Sequence, residues 1–228
     1  MENDRVLDML RVLLIVLSLG MSLPVLAEPT PVVTYEQGMT ALESKDYPTA
    51  LRIFRKVAAT KDKKQKYRRA HYQLALMYLN GTGVKKDERA AYRQVGLAAN
   101  YNGTISGDGF ADAIYLQGTM IRDGVGVNRD LTAASIDFLV ATKLGHKKAA
   151  YEAAILALRE RSYVTESGQR HDRIYALRML FIARMDNDER AFPVLLRHCK
   201  RLSSDEIAAA REDAQKYFKK DVRDKLVC

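Results

Sequence analysis

Residues 70–99 read AHYQLALMYLNGTGVKKDERAAYRQVGLAA. The small residue Ala75 is followed three positions later by Tyr78, and Gly81-Thr82-Gly83-Val84 then interrupts the apolar run. Asp87 precedes an alanine-rich second half, with Ala91, Val95 and Ala98 standing four, eight and eleven residues after it. Those offsets share one face of an α-helix. The aspartate is placed to cap that helix, where a carboxylate accepts from exposed N–H groups and meets the positive end of the dipole. The stretch therefore predicts two helices joined by a turn. Gly81 can end the first helix in a left-handed conformation, and Val84 can tuck back into the core.

The same arrangement recurs on both sides. Asp46, Asp87, Asp130 and Asp172 are spaced by 41, 43 and 42 residues. Four residues after each stands Ala50, Ala91, Ala134 or Ala176, and eight after stands Phe54, Val95, Phe138 or Leu180. Val57, Ala98, Ala141 and Ala183 complete the face at eleven. Ahead of each aspartate a small residue marks the first helix, as Gly38, Ala75, Gly118 and Ala154, where two helix backbones can approach closely. The turn Gly81-x-Gly83-Val84-x-x-Asp87 returns as Gly124-x-Gly126-Val127-x-x-Asp130. A period of about 40 residues built from helix pairs is the signature of a stacked repeat protein.

These residues resemble the Sel-one-like repeat (SLR) family, a relative of the tetratricopeptide repeats (TPR). The match runs closely from Ala70 to Ala99 and from Ala113 to Ala141, where Gln117 and Ile121 depart from the family pattern. Residues 33–58 look like a first unit without the glycine turn, and residues 149–185 keep the helix pattern but replace G-x-G-V with residues 159–168. The resemblance implies an all-α fold, a short right-handed α-solenoid of stacked antiparallel helix pairs with a C-terminal capping helix. It also implies a scaffolding or adaptor role, while β-lactam-linked secreted members keep an enzymatic alternative open. The expected organisation is a signal peptide over 1–27, a leader over 28–32, helical repeats over 33–190 and capping helices over 191–228. Residues 61–66, 100–110 and 162–171 read as insertions in the connections. Ser203 to Glu206 forms a capping box for a last helix carrying Ile207, Ala210, Ala214 and Tyr217.

The chain has 228 residues, 47% of them hydrophobic and 29% charged, which excludes wholesale disorder. Two cysteines exclude a disulfide-dense scaffold and a four-cysteine zinc site. Leu10 to Ala27 is an apolar run broken by Pro24, and Val25-Leu26-Ala27 suits signal peptidase, so cleavage after Ala27 and a periplasmic or secreted chain are expected. The alternatives are an uncleaved anchor, for which the run is short, and a true start at Met9. Removing residues 1–27 takes away two basic and three acidic residues and raises the net charge from +9 to +10. A positive chain favours anionic partners or surfaces. The leader disfavours nucleic acid as a partner, and no stable membrane insertion is expected once it is cleaved.

No nucleotide loop, Ser-x-x-Lys or Gly-x-Ser-x-Gly motif is present, and the four histidines show no metal-ligand spacing. The expectation is a protein that is not an enzyme and needs no metal or cofactor, with His71 in a hydrogen-bonded packing role. Cys199 and Cys228 form a disulfide in an oxidising compartment, or else remain one packed and one terminal thiol. Lys61, Lys63, Lys64, Lys66, Arg68 and Arg69 make the strongest basic run, either a solvated loop or a docking patch for an anionic envelope component.

One repeat position stands out. Three residues before each small marker is a tyrosine: Tyr35, Tyr72, Tyr115 and Tyr151. Along the same face come Met39, Leu76, Thr119 and Ile155, then Leu42, Leu79, Arg122 and Leu158. In tetratricopeptide solenoids this first-helix position lines the concave groove, so the resemblance implies an apolar, tyrosine-rich groove for a protein or peptide partner. The tyrosines offer large area and a hydroxyl at low entropic cost. The other reading is that each ring packs against the adjacent repeat.

Overall fold

The computed structural model describes residues 33–60, 65–99, 110–160 and 173–218. The expected signal segment and leader, Asp172 and most of the three connecting insertions lie outside the described residues. The chain divides into two units, Met1–Val32 and Val33–Cys228. In the second, the described residues form ten α-helices and no strand: α1 (Tyr35–Glu43), α2 (Tyr47–Ala58), α3 (Gln65–Asn80), α4 (Glu88–Ala99), α5 (Ala111–Asp123), α6 (Leu131–Lys143), α7 (Ala149–Glu160), α8 (Arg173–Met185), α9 (Ala191–Cys199) and α10 (Ser204–Phe218).

The helices pack as consecutive pairs, α1 with α2, α3 with α4, α5 with α6 and α7 with α8, and each second helix packs on the first helix of the next pair. This is the all-α stacked-pair solenoid read from the repeats. α9 and α10 both pack on α8. The connection expected over 61–66 is shorter than that, because α3 already begins at Gln65.

Each described repeat aspartate caps its helix. Asp46 Oδ1 accepts from Thr49 N at 3.2 Å, Asp87 Oδ1 from Ala90 N at 2.8 Å, and Asp130 Oδ1 from Thr132 N and Ala133 N at 2.9 and 3.0 Å. Their backbone amides close the turn as well. Asp46, Asp87 and Asp130 N donate to the carbonyls of Ala41, Tyr78 and Ile121 at 2.8, 3.0 and 3.2 Å. Those carbonyls belong to the residue three past each small marker, so repeats with and without the glycine turn end in the same bond.

The small markers and the residues eight past the aspartates compensate one another in volume. Gly38 faces the Phe54 ring and Gly118 faces Phe138, both so closely that a Cβ would meet the ring edge at 2.6 and 3.0 Å. Where the marker is Ala75 or Ala154, the matching residue shrinks to Val95 or Leu180 in the same core clusters. Phe54, Phe138, Val95 and Leu180 are all fully buried. Close packing at this seam requires that trade.

The second glycine of the turn is where one repeat seats on the previous one. At Gly126 (φ +71°) a Cβ would collide with the Glu88 carbonyl at the start of α4, and at Gly83 (φ +67°) with Tyr47 at the start of α2. Both positions need a left-handed backbone and no side chain. Past α9, Ser203 N donates to Glu206 Oε2 at 2.8 Å and Glu206 N to Ser203 Oγ at 3.2 Å, the expected capping box. Ala210 and Ala214 of α10 are buried, and Ile207 is partly buried.

Candidate functional site

The first-helix face lies one step off the core. Its twelve residues, the four tyrosines and the two positions that follow each, are all half-buried. The adjoining markers Gly38, Ala75, Gly118 and Ala154 are buried. The face thus borders the core without belonging to it, on α1, α3, α5 and α7.

The tyrosines are engaged by the repeat that follows them. The Tyr35 hydroxyl accepts from Gln73 Nε2 on α3 at 3.3 Å. Tyr72 meets Phe110, just ahead of α5, edge-on with centroids 5.1 Å apart. Tyr115 stacks on His146, just ahead of α7, at 4.0 Å and 19°. Arg190, just ahead of α9, lies 4.2 Å above the Tyr151 ring. Tyr35 and Tyr115 also touch Phe54 and Phe138 of their own pairs, at 5.7 and 5.6 Å. Each ring therefore joins two repeats and leaves part of its surface open. Burial pushes the Tyr72 and Tyr115 hydroxyls above the ordinary tyrosine value, with Asp112 and Glu152 adding to it respectively.

Sequence reasoning missed these partners, although a signal existed. Phe110 and His146 each stand eight residues before the marker of their own repeat, Gly118 and Ala154.

The face changes character along its length. On α1 and α3 it is aliphatic and aromatic, with Met39, Leu42, Leu76 and Leu79. At the other end a charge cluster spans α5, α7 and the turn before α9. Glu152 accepts from Arg122 at 2.6 Å and from Arg190 at 3.1 Å, and its side chain is only 13% exposed. Arg190 also pairs with Asp188 at 2.7 Å and Arg122 with Asp123 at 2.8 Å. Two arginines and three carboxylates in mutual contact are satisfied by one another. The hydrogen bond to Asp123 raises the Arg122 guanidinium, and the Arg122 partner holds the Asp123 carboxyl below its usual range. This network sets charge on and beside a face expected to be apolar and tyrosine-rich. It arises from pairs 30 and 38 residues apart, a separation no local pattern reports.

A second polar feature lies behind the face. His71 Nδ1 donates to Gln94 Oε1 at 2.6 Å, the packing role expected for it, and burial lowers its pKa. Gln94 stands seven residues after Asp87, and the equivalent residue after Asp130 is Asp137. The residue matching His71 is Ile114, so Asp137 has no imidazole to meet. Asp137 is 7% exposed, its Oδ2 has no hydrogen-bond partner, and burial pushes its carboxyl up to about 7.

The remaining expected residues fall as follows. Lys61, Lys63 and Lys64 lie outside the described residues. Lys66 pairs with Glu36 at 3.2 Å, both well exposed, so the pair adds little stability. Arg68 is half-buried and Arg69 exposed. Cys199 is buried, and Cys228 lies outside the described residues. Among the described residues no three His, Cys, Asp or Glu side chains gather to hold a metal, and no helix is long and apolar enough to cross a membrane.

No protein-family model and no curated protein matches the chain. Among solved structures it is similar to a Sel1 repeat protein from Oxalobacter formigenes, with a TM-score of 0.55 and 22% identity over 71% of this chain and 59% of that one. A protective antigen of uropathogenic Escherichia coli strains that displays an SLR fold matches with a TM-score of 0.44 and 19% identity, over 84% of this chain and 46% of that one. The chain thus spans less than two thirds of either structure. The first likeness shows that it shares the Sel1-repeat fold, which the sequence resemblance implied.

Proposed function

We propose that the chain is a non-catalytic, SLR-type interaction scaffold that leaves the cytosol, is cleaved after Ala27 and acts in the periplasm or outside the cell. It binds a protein or peptide partner through the first-helix face. One observation carries this reading: the half-buried face formed by twelve equivalent residues on four successive first helices, with aliphatic side chains at Leu76, Leu79, Ile155 and Leu158. A half-exposed apolar strip on a rigid stack offers continuous area to a partner without a fold change of its own. The tyrosines supply its seams, because each ring is fixed from the following repeat while part of it stays open.

The fixed rings decide which substitutions test the reading. Tyr72→Ala and Tyr115→Ala would remove inter-repeat packing as well as groove surface. Leu76→Glu with Ile155→Glu changes the face at two half-buried positions and leaves the tyrosines in place. A partner recovered on wild-type protein and identified by mass spectrometry should be lost from this variant at an unchanged melting temperature. Equal recovery would end the groove assignment. Nitrocefin should remain unhydrolysed, and turnover would move the reading to the enzymatic alternative.

A further inference from the structure

On the second helices, positions two, six and ten past the capping aspartate are one helical step apart each time and form a single stripe. In every described repeat the residue two past the aspartate is exposed: Pro48, Arg89, Thr132 and Ile174. The residue six past is exposed as Arg52, Arg93 and Ile136, and half-buried as Arg178. The residue ten past is exposed as Lys56 and Leu97 but buried as Val140 and Ile182, so the stripe faces outward along α2 and α4 and over only its first two positions on α6.

Its chemistry is uneven. On α2 and α4 the outward side chains are Arg52, Lys56, Arg89 and Arg93, all exposed, and none forms an ion pair among the described residues. The nearby carboxylates cannot neutralise them. α2 contains no Asp or Glu, and the only acid of α4, Glu88, is held by Lys86 at 2.9 Å. Immediately beyond these cations the stripe turns aliphatic. Leu97, four residues past Arg93, is 46% exposed, and Ile136, at the position of Arg52 and Arg93 in the next repeat, is 38% exposed. Three of the four large hydrophobic side chains left exposed among the described residues, Leu97, Ile136 and Ile174, lie on second helices.

Three unpaired guanidinium groups and one ammonium on α2 and α4, bordered by exposed aliphatic side chains, fit one kind of occupant best. Guanidinium forks match phosphate oxygens, the cations gain from the negative potential of an anionic leaflet, and the aliphatic side chains can enter the headgroup boundary. An acidic protein segment would use the arginines and leave Leu97 and Ile136 in water. We infer that this outward stripe of α2, α4 and α6 docks on a phosphate-bearing anionic lipid surface. The first-helix face would then remain free for a partner, and the inference rests on none of the residues that carry the groove reading.

Vesicle flotation tests it, using the chain on phosphatidylcholine vesicles with and without phosphatidylglycerol. Any contribution of the apolar run at residues 10–27 is the same in every variant, so comparison among the variants cancels it. Wild type should float preferentially with the anionic vesicles and be released at high salt. Arg52→Glu with Arg93→Glu should lower that preference about tenfold or more. Lys200→Glu with Arg201→Glu makes the same change in net charge on exposed residues of the cap and should keep most of it. Leu97→Ser with Ile136→Ser should weaken binding several-fold and leave its salt dependence in place. The proposal is overturned if wild type shows no preference for the anionic vesicles, if the cap variant loses as much as the stripe variant, or if the serine variant binds as wild type does. Circular dichroism confirms that each variant keeps its helices.

Discussion

The second and third repeats share their turn, their aspartate cap and their helix packing, yet differ at one buried polar pair. Where α3 and α4 place His71 against Gln94, α5 and α6 place Ile114 and Asp137. One repeat has a hydrogen bond between its two side chains at that position, leaving His71 Nε2 without a partner, and the other has a carboxyl with an unpartnered oxygen and no such bond. The backbone register is set by caps, glycines and small residues that recur, whereas the polar pair behind the face is free to vary. Its variation gives the two repeats opposite responses to pH. His71 is held below its usual pKa by burial, so its neutral form is favoured in the fold. Its contribution is complete above about pH 6.5 and is lost as pH falls through the lowered value. Asp137 is pushed up to about 7, so its protonated form is favoured. Its contribution is complete below about pH 4 and is lost as pH rises through about 7.

The sharpest way to break the likeness between the two repeats is at the glycine they share. Gly126→Ala would require a left-handed alanine driven into the Glu88 carbonyl, and should cost about 3 kcal/mol or more in thermal or urea unfolding. Gly83→Ala meets the same obstacle against Tyr47 and should cost a similar amount, because both glycines seat one repeat on the previous one. Loss of much less at either site would show that the repeats can separate there.

The buried pair comes next. Asp137→Asn should stabilise the chain at pH 8 by about 1–3 kcal/mol and have little effect near pH 4, measured as unfolding free energy against pH. Gln94→Leu should do the reverse in the second repeat, removing the acceptor of His71 and costing about 1–2 kcal/mol at neutral pH. If both substitutions act alike at pH 8, the two positions are not in opposite states.

Much of this was readable in the sequence because it is local. Asp46, Asp87 and Asp130 announced their caps, the G-x-G-V turns announced the helix ends, and Gly38 and Gly118 announced close approach. That the four tyrosines and the residues following them share one helix face also followed from helical spacing. The partners of that stripe did not. Phe110, His146 and Arg190 reach the tyrosines from the following repeat, and Glu152 collects Arg122 and Arg190 across three elements. Such contacts depend on how far one pair is rotated on the next, which side-chain spacing within a helix does not encode. Asp137 was hidden for another reason. The missing partner of its Oδ2 emerges only when equivalent positions of two repeats are compared and one of them holds isoleucine in place of histidine.

The smallest expected effect concerns the outward side of the second repeat. Gly96 lies within α4 with nothing inside 4 Å of where a Cβ would stand. Gly96→Ala should therefore stabilise by about 0.5–1 kcal/mol through helix propensity alone, read from the melting temperature. Destabilisation would mean that this surface is covered.

The central claim is that the first-helix face, and not the outward side of the second helices, receives a protein partner. A photo-crosslinking amino acid placed at Leu76, and separately at Arg89, tests it in cells that export the chain. The account predicts a discrete protein adduct from Leu76 and none from Arg89. Adducts from Arg89 alone, or the same adduct from both positions, would contradict it.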